Sequence, residues 1–351
     1  MSKSELSWAP AAGHDVEVLY AVDGPLGRIR LNRPRAINAL DRASIDSLSA
    51  QLHTWADDDA IAAVVIDGAG DRGLCAGGDV RALREAVQAG NYEEALAYWS
   101  AEYAVNALIA SYPTPFVAWM DGFVLGGGVG VSAHGSHRFV TERTQLAMPE
   151  TIIGFFPDVG AMWFLANAPG ETGTHVALTG VPVSGTDALD LGMADALVAA
   201  EAKEDVLAAL RDDPTLDPAN LDQRDQLPAE HWLLENREWI DRCYAGDDAG
   251  LILQRLRASG QPQARAAAEH IEARSPHSVA VTLAALRRAA SMDVQEVLDQ
   301  DLALAPAFAR HPDFVEGVRA QLVDKDRQPR WAAQSVEQVS RAEVLAAFGQ
   351  G

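Results

Sequence analysis

Cysteine is nearly absent from this chain: Cys75 and Cys243 are the only two in 351 residues. Two thiols are too few for a disulfide framework or a cysteine-built zinc site, so a reducing, cytoplasmic setting is the expectation. Long apolar runs are lacking too. The longest, such as AAVVI at 62–66, fall far short of the roughly 18–20 residues that cross a bilayer. The opening stretch MSKSELSWAPAAGHD carries neither a signal-peptide nor a transit-peptide pattern, so no targeting segment is expected. Positive charge is scarce: 28 Lys and Arg stand against 50 Asp and Glu, a formal net charge of −22. Such a surface repels nucleic acid and anionic lipid, and neither is expected as a partner. His134 and His137 lie three apart, but no third ligand stands at a sensible spacing, so no metal is expected.

What is present is apolar mass, 48% of the residues, enough for one large domain or two ordinary ones. Up to about residue 200, strand-like and helix-like segments alternate. VEVLYAV (16–22) and GRIRLN (27–32) flank the turn DGPLG and predict a hairpin. AAVVIDG (62–68) and PFVAWMDG (115–122) are continuous apolar runs of the kind found in buried parallel strands. Residues 41–56 predict a helix with Asp41 as its N-cap, and 79–89, 92–110 and 158–167 predict others. This alternation is the pattern of an α/β fold with parallel pairing. After residue 200 the strand signals vanish and helical runs follow one another, at 202–212, 229–243, 248–258, 262–273, 278–290, 294–309 and 312–322. The polar, Pro-rich stretch DDPTLDPANLDQRDQLP (212–228) suits a linker or an excursion over the surface. The expected organisation is therefore an α/β core at 1–200 and a helical region at 201–351.

Two glycine-rich points fall where strands give way to helices: CAGGD (75–79) and LGGGVG (125–130). Glycine lets a backbone approach a ligand closely, and a first helical turn presents free N–H groups. Two such turns brought together could aim two donors at one oxygen, the construction of an oxyanion hole. LGGGVG does not fit the dinucleotide pattern G-x-G-x-x-G. Further on, AMPETIIGFFPDVG (147–160) holds two acids, Glu150 and Asp158, in a largely apolar setting. An acid deprived of hydration has a raised pKa, which suits a base or nucleophile near neutral pH. Cys75 has apolar neighbours and no adjacent base, and is read as structural. An early cluster, Arg28, Arg30, Arg33 and Arg35, followed by Arg72, Arg81 and Arg84, offers positive charge for an anionic ligand; for any one of them, solvated surface arginine is the simpler reading.

CAGGD and LGGGVG followed by MPET resemble the crotonase (enoyl-CoA hydratase/isomerase) superfamily. The blocks VLGGGVGVSAHGSHRFVTERTQLAMPETIIGFFPDVG (124–160) and DFVEGVRAQLVDKDRQPRW (313–331) are similar to its 3-hydroxyisobutyryl-CoA hydrolase branch. The resemblance implies a core of repeated ββα units arranged as a spiral. It also implies hydrolysis of a short 3-hydroxyacyl-CoA thioester, in valine catabolism, with coenzyme A entering as part of the substrate and no separate cofactor. Carried over residue by residue, it assigns the oxyanion donors to the N–H groups of Gly78 and Gly127 and the catalytic acid to Glu150. Asp158 and Glu102 become further acids of the substrate pocket. Arg33, Arg35, Ala36 and Ile37 fall on the loop that runs along coenzyme A in the superfamily. One departure is informative. Hydratases carry a second catalytic Glu two residues after the GGG; here that position is Gly130. Asp158 stands where hydratases usually have Gly. Both differences favour a hydrolase over the alternative, an enoyl-CoA hydratase or isomerase. Superfamily relatives often form trimers, so a homo-oligomer stays open.

Overall fold

The computed structural model describes residues 6–227 and 230–349. The chain forms two compact units, each assembled from three segments. One comprises Met1–Gly78, Ala104–Leu146 and Ser184–Glu230, the other Asp79–Tyr103, Ala147–Val183 and His231–Gly351.

The first unit is built on a six-stranded sheet. Its strands, in chain order, are β1 (Val18–Asp23), β2 (Leu26–Leu31), β3 (Ala63–Gly68), β5 (Phe116–Met120), β7 (His137–Val140) and β10 (Ala196–Leu197), and they lie side by side in that same order. The predicted hairpin is present: β1 and β2 pair antiparallel, Val18 opposite Leu31 and Asp23 opposite Leu26. Every later pair is parallel. The apolar runs explain this, because all five residues of β5 are buried and a strand covered on both faces needs no polar alternation. Five strands escaped the sequence pattern: β4 (Gly73–Cys75), β6 (Phe123–Leu125), β8 (Gln145–Ala147), β9 (Val183–Ser184) and β10. Two or three residues carry no readable period. β4 and β6 pair in parallel outside the main sheet.

Leu26, Val65, Val117, Trp119 and Phe139 form a core on one face of the main sheet, closed by Val206, Leu207 and Leu210 of the helix Lys203–Asp212. The Pro-rich stretch after that helix is tied down. Leu221 packs on this core, the Leu197 N–H donates to Asp222 at 2.9 Å, and the Ala199 N–H donates to Gln223 at 2.9 Å. Asp41 caps the helix Arg42–Ala56 by accepting from the Ser44 N–H at 2.8 Å, as expected.

The second unit is mainly helical, and among the described residues no strand follows Leu197. The helix Val294–Arg310 opens with a reciprocal capping box between Asp293 and Glu296. The expected helix at 229–243, whose first residue lies outside the described ones, is two: Trp232–Glu235 and Arg237–Tyr244. The run at 312–322 changes at Val318 into a π-helical turn, Arg319–Val323. The helix expected from 158 starts only at Ala161, because Val159 (φ 55°) and Gly160 (φ 74°) are left-handed. Around Phe155 an aromatic cluster forms: Trp99 stacks on it at 4.9 Å, Phe156 lies at 4.5 Å, and Phe308 and Phe314 at 5.4 and 5.6 Å between ring centroids.

Candidate active site

In the first unit the two glycine turns meet. β4 and β6 deliver them side by side, so closely that side chains would not fit. A Cβ on Gly77 (φ 100°) would sit 3.4 Å from the Gly127 nitrogen and 3.1 Å from the Leu125 carbonyl oxygen. One on Gly128 would sit 2.6 Å from the Cys75 carbonyl oxygen. This is the physical reason for glycine at both points. Among the described residues no hydrogen bond engages the N–H of Gly78 or of Gly127. Their neighbours are engaged: the Leu40 N–H donates to the Gly77 carbonyl at 2.9 Å and the Ala76 N–H to the Ile37 carbonyl at 2.8 Å. Cys75 is fully buried, with its thiol on the Asn38 carbonyl at 3.2 Å, in keeping with a structural role.

The loop 32–40 packs along this construction. Ile37 (φ 49°) and Asn38 (φ 57°) are both left-handed, a costly state for a β-branched residue. The Asn38 side chain holds it, accepting from the Arg33 N–H at 3.1 Å and donating to the carbonyls of Ala69 and Gly73 at 3.0 and 3.1 Å. Of the expected coenzyme A contacts, Arg35 and Ala36 are exposed and Ile37 is half-buried. Arg33 already faces Glu17 at 3.4 Å and Asp41 at 3.5 Å. The early arginine cluster does not form a free basic patch. Arg28 and Arg30 turn inward to the fully buried Asp67, at 3.0 and 2.7 Å, together with Lys203 at 2.9 Å. Within the second unit, Arg81 and Arg84 donate to the carbonyls of Leu322 and Val315.

That unit also gathers the acids. Glu102 comes from the helix Tyr92–Ala110, Glu150 from the first turn of a 3-10 helix, Glu150–Ile153, and Asp158 from the strained turn before Ala161. All three are buried, at 3, 7 and 5% exposure, which for carboxylates is rare and calls for partners. The partners are few. The Tyr103 hydroxyl donates to Asp158 at 2.7 Å, the Tyr98 hydroxyl reaches Glu102 at 3.5 Å, and one Glu150 oxygen has none. Burial pushes the Asp158 carboxyl up to about 7, against the Tyr103 bond, which pulls it down. Burial first, then the neighbouring Asp158, Glu102 and Asp301, drive Glu150 well above the usual carboxylate range. Glu102 is raised by burial and by Asp158. Carboxyls raised in this way take up protons closer to neutral pH than solvated ones and can exchange them with a substrate.

Sequence reasoning missed two members. Asp301 sits inside a helix and belongs to no motif, and Tyr103 marks the position of Glu102 in the sequence without a role of its own. The only local signal for Asp301 is that it is the last acid ahead of the apolar run LALAPAFA, and for Tyr103 its place beside Glu102.

The enoyl-CoA hydratase/isomerase family pattern matches residues 26–348. The zebrafish (Danio rerio) protein named 3-hydroxyisobutyryl-CoA hydrolase, mitochondrial, is 39% identical over 341 residues, 95% of this chain and 89% of that one. Among solved structures, a carnitinyl-CoA dehydratase from Mycobacterium thermoresistibile matches at 43% identity and TM-score 0.90, over 95% of this chain and 96% of the other. An enoyl-CoA hydratase from Rhodobacter sphaeroides 2.4.1 matches at 38% and 0.88, over 95 and 97%. The expected cytoplasmic setting does not stand, because the curated relatives are named as mitochondrial enzymes. Scarce cysteine reports a reducing environment and not which membrane encloses it.

Proposed function

Because the chain belongs to the enoyl-CoA hydratase/isomerase family, we propose that it is a CoA thioester hydrolase that cleaves 3-hydroxyisobutyryl-CoA to 3-hydroxyisobutyrate and coenzyme A, a step of valine catabolism. The observation that carries this is the buried acid set of Glu102, Glu150 and Asp158, combined with glycine at position 130, where a two-glutamate hydratase would need its second acid.

In this reading the Gly78 and Gly127 N–H groups hold the thioester oxygen and stabilise the negative charge that develops on it. Loss of one such donor typically costs about 3–4 kcal/mol in the barrier. Glu150 acts at the carbonyl carbon by one of two routes. Its carboxylate attacks to form a mixed anhydride that water then cleaves, or it takes a proton from the attacking water. Both routes break the C–S bond and release coenzyme A as the thiol. The depleted hydration of Glu150 makes its ionised form more basic than a solvated carboxylate. Asp158, oriented by Tyr103, and Glu102 accept the substrate hydroxyl.

The dehydratase and hydratase structures keep a second reading in play, water addition to an enoyl-CoA. The product separates the two: a hydrolase releases a thiol that a thiol reagent detects, whereas a hydratase leaves CoA esterified and bleaches the enoyl absorbance. The hydroxyl requirement tests the assignment of the acids. An analogue without it leaves a carboxylate poorly paired in an apolar pocket. The kcat/KM for 3-hydroxyisobutyryl-CoA is therefore expected to exceed that for isobutyryl-CoA by at least about 100-fold, roughly 2.7 kcal/mol. Equal rates on the two would make a broad thioesterase the better description.

A further inference from the structure

Asp301 lies in the middle of the helix Val294–Arg310, and its carboxyl is wholly buried. One oxygen accepts from the Gly160 N–H at 2.9 Å; the other has no partner. A buried acid left half satisfied is expensive to keep. Its one hydrogen bond reaches a particular place. Gly160 closes the turn Asp158–Val159–Gly160, in which Val159 has φ 55°, a conformation that a β-branched residue adopts only when its surroundings impose it. Contacts from outside this turn hold it, among them the Tyr103 hydroxyl on the Asp158 side chain and the Asp301 carboxyl on the Gly160 backbone.

We propose that Asp301 is a positioning residue of this site: by holding the Gly160 amide it keeps the strained turn closed and the Asp158 carboxyl in place for the substrate. The proposal rests on the hydrolase reading above. The titratable groups acting on Asp158 and Asp301 within this unit are Glu102, Tyr103 and Glu150. Burial and the neighbouring Asp158 raise the Asp301 carboxyl as well, which favours a hydrogen-bonding clamp over a counter-charge.

The test replaces the clamp without opening a hole. Asp301→Leu fills the volume and removes the acceptor, while Asp301→Asn keeps an acceptor oxygen for Gly160. We expect Asp301→Leu to stay folded, with a melting temperature close to that of the wild type because the relieved acid offsets the unpaired Gly160 N–H, yet to lose at least about 30-fold in kcat, with KM within threefold. Asp301→Asn should recover most of that loss. In an Asp158→Asn background, Asp301→Leu should cost little more. A fully active Asp301→Leu, an Asp301→Asn as impaired as Asp301→Leu, or losses that multiply in the double variant would each overturn the proposal. Hydrogen exchange at the Gly160 amide examines the clamp without any substrate: it should accelerate in Asp301→Leu, and unchanged protection would overturn the proposal even in an active enzyme. Wild-type protein that releases no thiol from any short acyl-CoA would instead overturn the hydrolase reading.

Discussion

Buried acids that hold protons make a trade between function and stability, and Asp158→Asn measures it. The unfolded chain ionises this carboxyl near its ordinary value of 3.8, whereas in the folded protein the group titrates at about 7. Below about pH 4 it is protonated in both states and costs nothing. Between about pH 4 and 7 the unfolded chain sheds the proton first, so the folded state loses ground as pH rises. Above pH 7 the whole penalty is present. A gap of about three pH units corresponds to roughly 4 kcal/mol, a ceiling because the neighbouring acids titrate together. Asparagine cannot ionise but keeps an oxygen to accept from Tyr103. Asp158→Asn should therefore match the wild type in stability at pH 4 and exceed it at pH 8 by up to about 4 kcal/mol. At roughly 2–4 °C per kcal/mol for a unit of 150–250 residues, that is a gain of up to about 8–16 °C in Tm. Scanning calorimetry of both proteins at the two pH values reads it, and the comparison between them cancels the titrating groups that do not interact with Asp158. A stability difference that does not change with pH, or a wild type that is the more stable at pH 8, would refute the reasoning. The same variant should be nearly inactive in thiol release.

Three other outcomes follow from the site. Glu150→Gln keeps size and loses basicity, so thiol release should vanish while coenzyme A binding, read by calorimetric titration, persists; turnover within threefold of wild type would remove Glu150 from its role. Tyr103→Phe deletes the 2.7 Å bond to Asp158. At about 1.5–3 kcal/mol for a bond to a charged acceptor, the Asp158 carboxyl should rise by roughly one to two pH units and carry the ascending limb of kcat/KM to higher pH by the same amount; a stationary limb would detach Asp158 from catalysis. Gly128→Ala brings a methyl within 2.6 Å of the Cys75 carbonyl oxygen, so overpacking of about 1–3 kcal/mol should lower Tm and turnover together, and a variant with unchanged Tm would count against the tight contact of the two turns.

The legible parts of this protein are those where one short segment carries its own physical signature. The buried strands β3 and β5 announce themselves as apolar runs, the Asp41 cap as a polar residue before a helical period, and Glu150 and Asp158 as acids among Phe, Ile and Met. Pairing across distance is what a linear reading lacks. Arg28 and Arg30 read as surface charge until β3 brings Asp67 between them. Asp301 reads as one more acid in an acidic chain until its helix sets it against Gly160. The short strands β4 and β6 were missed for a different reason: three residues have no period, and their role is to place the glycine turns. The division at residue 200 follows the change in secondary structure, whereas the compact units follow spatial contacts and draw on three segments each.

The burial of the thiols has a practical consequence at the bench. Cys75 is sealed under the Gly128 turn, and Cys243 is 1% exposed. A disulfide reagent added to the folded enzyme therefore meets no protein thiol, and the colour that develops during turnover belongs to released coenzyme A alone. Denaturant added at the end of the run should uncover two further equivalents per chain, from the only two cysteines in the sequence. The progress curve thus carries its own internal standard, reporting how much of the sample was intact while it worked.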